Sequence, residues 1–305
     1  MRVFALELDN TIKGLPERKQ YIESLLAKVP TPDLVLLPEL AICRYLPNQN
    51  IWRYADQASK ETATWAMEMA GKYNTYLGIG YVDYENGEYY NRYMLVDRKE
   101  VYGIVTKNEG EAAIFKRGRT SSPIIKTPFG NVAIAICYDA WRKSFYEEIE
   151  NQALALIVFP HGRSFNPKKK LEEKKANDYL ANQYVHCFDV PVIYVNSFGP
   201  LELMPGIMGR FMKWLNFTMN GHTKIYTNQG RKISLNKKEI IGCELNLSEQ
   251  KRRHELFFYG KNLMKGNFLF RHTILKLDIL LGVRKYQKNK NKKQWRLTND
   301  TRGNY

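Results

Sequence analysis

Short apolar runs closed by polar turns punctuate the chain, and two kinds of periodicity alternate between them. Val3 to Leu8 alternates as a strand, and Pro16 to Val29 brings Tyr21, Ile22, Leu25, Leu26 and Val29 onto one helical face. Leu34 to Leu40 reads as an apolar strand ending at Pro38-Glu39, and Ser59 to Lys72 as a second amphipathic helix. TYLGIGYVDY and YYNRYMLVD follow as strands, with Asn86-Gly87 between them marking a hairpin, and Val101 to Val105 extends it into a meander. Val132 to Cys137 and Leu154 to Phe159 are continuous apolar runs, the mark of strands buried on both faces. A helix from Ser144 to Gln152 separates them, and a longer one, Lys168 to Phe188, leads to the strand VPVIYVNSFG. Met204 to Thr218 reads as a loop or short helix, HTKIYTNQGRKI as a hairpin turning at Asn228-Gln229-Gly230, and EIIGCELNL as the last clear strand. This order predicts an α/β fold with mixed sheets covered by helices.

Chemistry gathers where the apolar strands stop. Cys137 ends its strand and is followed by a sharp turn into helix, a place where a nucleophile meets substrate beside free backbone N–H groups. On position alone a buried structural thiol is the commoner fate of a cysteine at such a strand end. Glu39 directly follows four apolar residues and a proline, which is costly for a carboxylate unless it is paired or has work for a raised pKa. His161 closes a third strand, and Lys107 lies in the loop after the meander. A cysteine, a carboxylate base and a lysine beside a carbonyl oxygen suffice for acyl transfer on an amide or nitrile carbon without metal or organic cofactor.

These residues also carry a family resemblance. LVLLPELAICRYLP, TKNEGEAAIFKRG and TPFGNVAIAICYDAW resemble, in order, the three motifs of the nitrilase superfamily, the carbon–nitrogen hydrolases, in its amidase-like branch. YYNRYMLVD, VPVIYVNSFG and HTKIYTNQGRKI resemble lesser signatures of the same family. The resemblance covers roughly residues 1 to 247 and implies a four-layer α-β-β-α sandwich. It also implies that Glu39 is the general base, Cys137 the nucleophile, and Lys107 the cation that holds the oxyanion together with the Tyr138 N–H. Glu111 would position Lys107 and line the pocket. The implied reaction is cleavage of a non-peptide C–N bond in a small linear amide or carbamoyl compound through a thioester. An N-acyltransferase that passes the thioester to an amine is the alternative, followed by a nitrilase and a catalytically silent binding module. Trp141 and Lys143 stand where many amidases of the family have Arg and Pro, so the substrate stays open. His161 is placed in the pocket wall, and Arg163 either binds a substrate carboxylate or pairs elsewhere. Lys116 competes with Lys107 by proximity alone.

Composition adds boundaries. With 305 residues, 44% hydrophobic and 26% charged, the chain is an ordinary globular one that can bury a large core. Cysteines at 43, 137, 187 and 243 form no CxxC pair, and no histidine has metal-ligand spacing, so neither a disulfide framework nor a metal or other cofactor is expected. No signal peptide or membrane span is evident, and a reducing cytoplasm is the expected location. The formal charge of +16 concentrates in RKYQKNKNKKQWR, residues 284–296. That division gives a hydrolase domain over 1–250, an extension over 251–283 that packs a homodimer or binds a surface, and a basic, solvated tail over 284–305. Weak contact of this basic segment with an anionic membrane surface is the alternative, and no nucleic-acid-binding motif accompanies it.

Overall fold

Each apolar run is buried on both sides because two β-sheets stack face to face and each carries helices on its outer face. The computed structural model describes residues 1–228, 232–266 and 270–300. In the first sheet lie β1 (Arg2–Leu6), β2 (Leu34–Leu36), β3 (Tyr76–Glu85), β4 (Glu88–Val96) and β5 (Val101–Thr106). The second holds β6 (Ile124–Thr127), β7 (Gly130–Ile134), β8 (Leu156–Pro160), β9 (Val192–Val195) and β10 (Lys224–Tyr226). Two late strands, β11 (Lys232–Lys237) and β12 (Ile240–Glu244), return to the first sheet, whose order is β11-β12-β1-β2-β3-β4-β5. The second sheet runs β10-β9-β8-β7-β6. β1, β2 and β3 are mutually parallel, as are β7, β8 and β9, and the outer strands pair antiparallel, so both sheets are mixed.

Alternate residues of one strand serve different layers. Val3 and Ala5 of β1 meet Ile134, Val158 and Ile193 between the sheets, while Phe4 and Leu6 face outward onto α1 (Leu15–Leu26) and α2 (Lys60–Tyr73). On the other side, Ile157, Phe159 and Tyr194 pack against α3 (Lys143–Ile149) and α4 (Lys170–Phe188) through Phe145, Tyr184 and Phe188. The result is the α-β-β-α sandwich that the resemblance implied. The Asn86-Gly87 turn has φ of 51° and 76°, the left-handed pair that a two-residue hairpin demands.

Two segments differ from expectation. HTKIYTNQGRKI is not a hairpin: Lys224–Tyr226 pairs with β9 of the second sheet, and Lys232–Lys237 pairs with β12 of the first. Ile225 fills the space between the sheets and Tyr226 the outer core, so that strand is held by both faces of its own sheet. The Gln229-Gly230 part of the expected turn lies outside the described residues. Met204 to Thr218 contains the short helix α5 (Gly206–Trp214), in line with its reading, whereas the long C-terminal helix α6 (Leu275–Asp300) runs through residue 284, where a separate tail was expected to begin. Its anchor is Tyr286, 2% exposed, whose hydroxyl donates to Glu88 Oε2 at 2.5 Å and accepts from the Tyr89 N–H at 2.9 Å. Lys290 pairs with Glu88 at 2.8 Å, so part of the basic run is tied to the β3–β4 hairpin.

Candidate active site

Carboxyl ends of the parallel strands from both sheets meet at one edge of the sandwich, where ligands collect in open α/β sheets. β2 ends at Leu36 and turns at Leu40 (φ 53°), which turns Glu39 inward. This turn lies directly on β3: a Cβ on Gly80 would stand 2.5 Å from the Leu40 nitrogen and 2.6 Å from the Pro38 oxygen, so only glycine permits the approach. β5 ends one residue before Lys107, whose own N–H still bonds to the Asn91 carbonyl at 2.9 Å. Beyond β7 the chain enters a 3-10 turn, Cys137–Trp141, with Cys137 itself at φ 54°. A non-glycine residue in that region stores about 1–3 kcal/mol of strain and is held only by its surroundings.

Lys107 is 2% exposed and stands between two carboxylates. Its Nζ donates to Glu39 Oε1 at 2.6 Å and to Glu111 Oε1 at 2.8 Å. Glu39 Oε1 also accepts from Asn91 Nδ2 at 2.7 Å, and Glu111 Oε1 from the Tyr45 hydroxyl at 2.9 Å. The second oxygen of each carboxylate is buried without a partner among the described residues. Glu39 Oε2 lies against Gly162, where a Cβ would come within 2.8 Å of it and 2.0 Å of the Tyr45 ring.

The two carboxylates have opposite protonation preferences. Burial, helped by the charge of Glu111, raises the Glu39 pKa more than Lys107 and Asn91 lower it. Burial opposes ionisation of Glu111 too, but Lys107 and its hydrogen bonds bring that pKa below the usual range. Lys107, despite its own desolvation, is held well above the ordinary lysine value by both partners. Cys137 is pushed up to about 12, first by burial and then by Glu39, against the opposing charge of Lys107. At neutral pH the site therefore holds a neutral thiol, a fixed cation and an anion at Glu111, beside a Glu39 carboxyl whose affinity for a proton is raised. Divergent carboxylates of this kind mark acid and base roles.

Residues the sequence reading passed over complete the assembly. Asp139, 2% exposed, accepts the N–H groups of Asn108 at 2.7 Å and Glu109 at 2.8 Å, clamping the Lys107 loop to the cysteine turn. Asn196, at the end of β9, receives the Arg163 N–H at 3.0 Å and donates to the Gly221 carbonyl at 3.0 Å, which fixes the loop after His161. Asn91, Tyr45 and Asp139 lie within the family-like segments, but only contact across strands gives each its role.

The remaining candidates occupy other places. Tyr138 lines the cavity above Cys137, and its hydroxyl donates to Asn262 Oδ1 at 2.9 Å. Trp141 is buried in the outer core with the Arg163 guanidinium over its ring at 5.3 Å, outside the residues lining that cavity. Arg163 is committed to Glu173 at 2.6 Å. His161 is buried against Tyr194, with Nδ1 3.0 Å from the Phe159 carbonyl, and burial lowers its pKa to about 3. Lys116 lies 3.7 Å from Glu88 and does not enter the Lys107 cluster. Among the described residues no group of His, Cys, Asp and Glu is arranged to hold a metal ion.

Over this cluster stands a cavity of about 530 Å3. Lys107, Glu111, Cys137 and Tyr138 form its polar floor, and Met204, Met208 and Met212 around α5 with Leu275 and Ile279 of α6 form apolar walls. The fit of α6 to the Glu111 loop is close: a Cβ on Gly282 would stand 2.9 Å from that of Ala112.

The sequence profile described as carbon–nitrogen hydrolase matches residues 11–249. Among solved structures, a carbon–nitrogen hydrolase from Helicobacter pylori superposes with a TM-score of 0.66 at 19% identity, covering 79% of this chain and 88% of its own. Nit3 of Saccharomyces cerevisiae, a member of branch 10 of the nitrilase superfamily, gives 0.59 at 18% identity, with coverages of 82% and 90%. An amidase from Nesterenkonia gives 0.62 at 16% identity, with coverages of 80% and 90%. No match was found among curated proteins.

Proposed function

The chain belongs to the carbon–nitrogen hydrolase family, and on that premise we propose that it cleaves the C–N bond of a linear amide or carbamoyl compound through a Cys137 thioester. The observation that carries this reading is Lys107, buried between Glu39 and Glu111 on the floor of a cavity that Cys137 also lines. An unused buried lysine with two carboxylates would be a costly ornament; beside a thiol it is an oxyanion site with a base attached.

Glu39 takes the Cys137 proton as sulfur attacks the carbonyl carbon. Two Lys107 protons are held by the carboxylates, so the third, with the Tyr138 N–H, is directed at the developing oxyanion. Protonated Glu39 then gives its proton to the departing nitrogen, and ammonia or an amine leaves. In the second half Glu39 deprotonates water, hydroxide adds to the thioester, and collapse of that adduct releases the carboxylic acid and returns a proton to sulfur. Glu111 stays ionised throughout and keeps Lys107 charged. The apolar walls favour a substrate whose larger group is an aliphatic chain.

Ammonia or amine release from amides of graded chain length tests the scheme. Cys137→Ala should lower turnover by at least about a thousandfold with an unchanged circular dichroism spectrum. Undiminished turnover in that variant would refute the thiol mechanism.

A further inference from the structure

Apart from Leu171 and Tyr179 on α4, every exposed large hydrophobic side chain among the described residues falls on three segments, 203–214, 257–259 and 274–283. Trp214 is 75% exposed, Phe257 71% and Leu280 62%, with Phe211, Leu277 and Leu281 beside them. The segments are neighbours. Asp278 of α6 accepts the Ile207 N–H at the start of α5 at 2.8 Å, and Arg271 donates to the Met264 carbonyl at 2.9 Å. Tyr259 shares a cleft with Lys276 and Ile279 of α6. The apolar surface therefore surrounds the helices whose inner faces wall the Cys137 cavity.

Exposed charge on these three segments is predominantly positive. Arg210, Lys213, Lys261, Lys265, Lys276 and Arg284 are exposed on this face. Within residues 203–214, 257–266 and 270–293 the single acidic residue is Asp278, which is spent on the start of α5. Exposed aliphatic and aromatic side chains interleaved with cations, on helices lying along the surface, match the layered chemistry of an anionic bilayer: hydrocarbon inside, phosphate outside. A second copy of the chain fits poorly, because an isologous contact would set these cations against themselves. A nucleic-acid backbone would meet the cations and leave Leu277, Leu280 and Leu281 wet. Among the described residues no helix is long and apolar enough to cross a membrane, so the contact is with the surface.

We propose that α5, α6 and the 257–266 loop form a docking surface for an anionic lipid bilayer, oriented so that a bilayer-borne apolar chain enters the cavity above Cys137. The delivery half rests on the thiol-hydrolase reading; the docking half does not.

The test is co-sedimentation of the full chain with vesicles of phosphatidylcholine, alone or mixed with phosphatidylglycerol, at low and high salt. Binding to the mixed vesicles at low salt should be about tenfold or more tighter than to the neutral ones, and Leu277→Glu with Leu280→Glu should lower it about tenfold. Both positions are exposed, and circular dichroism checks the fold. As a second readout, vesicles should shift the tryptophan emission to the blue in the parent chain and not in Trp214→Phe. Absence of vesicle binding at low salt overturns the proposal, as does binding that the two glutamates leave unchanged. Tight retention of duplex DNA without vesicle binding, or a solution dimer that the same glutamates dissociate, also overturns it. Because no readout is catalytic, such a failure would leave Cys137-dependent turnover standing.

Discussion

Asp139 reaches across from the cysteine turn and accepts the Asn108 N–H at 2.7 Å, so the residue two places after Cys137 fixes the residue next to Lys107. Its other oxygen holds the Glu109 N–H. Cys137 and Lys107 come from different sheets, and this carboxylate ties their two loops together.

Burial, against those two N–H bonds, raises the Asp139 pKa from 3.8 to about 6. A carboxyl whose folded pKa is raised is bound to its proton more tightly in the native state, so its contribution to stability falls as pH rises through that window. Between pH 3.8 and about 6 the wild type should lose up to about 3 kcal/mol relative to Asp139→Asn. Urea unfolding of both proteins across this range measures the difference; parallel curves would show that Asp139 does not titrate there. At neutral pH the amide leaves one N–H unpaired, and kcat should fall about tenfold or more as Lys107 loosens.

In the proposed scheme Glu39 must be ionised to act as base, and its pKa is raised by burial and then by Glu111. The acid limb of kcat/KM therefore lies above the ordinary carboxylate range. Removing the Glu111 charge should move that limb to lower pH, so Glu111→Gln is predicted to shift it toward acid while lowering the plateau about tenfold or more. With the His161 pKa lowered to about 3, His161→Gln should leave the position of the limb unchanged. A limb that follows the histidine substitution would exchange the base assignment.

Gly162 offers a steric test. An alanine Cβ there would sit 2.0 Å from the Tyr45 ring and 2.8 Å from Glu39 Oε2, so one or both must move. Gly162→Ala should cost about 1–3 kcal/mol of stability by overpacking and lower kcat by a larger factor than it raises KM. Steady-state kinetics beside thermal unfolding separates the two effects.

Tyr286 is the peg of α6. Tyr286→Ala removes its ring from the cluster with Trp52 and Tyr89 and leaves the Tyr89 N–H without its partner. Loss of the buried ring should cost about 3–5 kcal/mol locally. Limited proteolysis should then cut within residues 270–293 faster than in the parent chain, and KM for long-chain amides should rise more than for short ones. Equal KM changes would separate α6 from the substrate cavity.

The sequence by itself determined the strands and the identity of their terminal residues. Continuous apolar runs such as Val132 to Ile136 require burial on both faces, and a period of two or of 3.6 assigns most elements. Glu39, Lys107 and Cys137 stand out because each breaks an apolar pattern or follows its end. Their surroundings were not legible in the same way. Asn91, Tyr45 and Asp139 are ordinary residues in sequence, and their roles exist only because hydrogen bonds join segments 31 to 66 residues apart. The Lys224–Tyr226 segment had the pattern of a hairpin arm, yet pairing across the sandwich sent it to the other sheet. The basic run after residue 284 looked like a solvated tail, because charge density reports solvent exposure and not attachment. One buried tyrosine, paired with Glu88 and Tyr89, makes its first turns part of a helix that walls the cavity. Periodicity and end residues are local properties of the chain, whereas protonation preferences, cavity walls and partner choice arise from contacts that only folding creates.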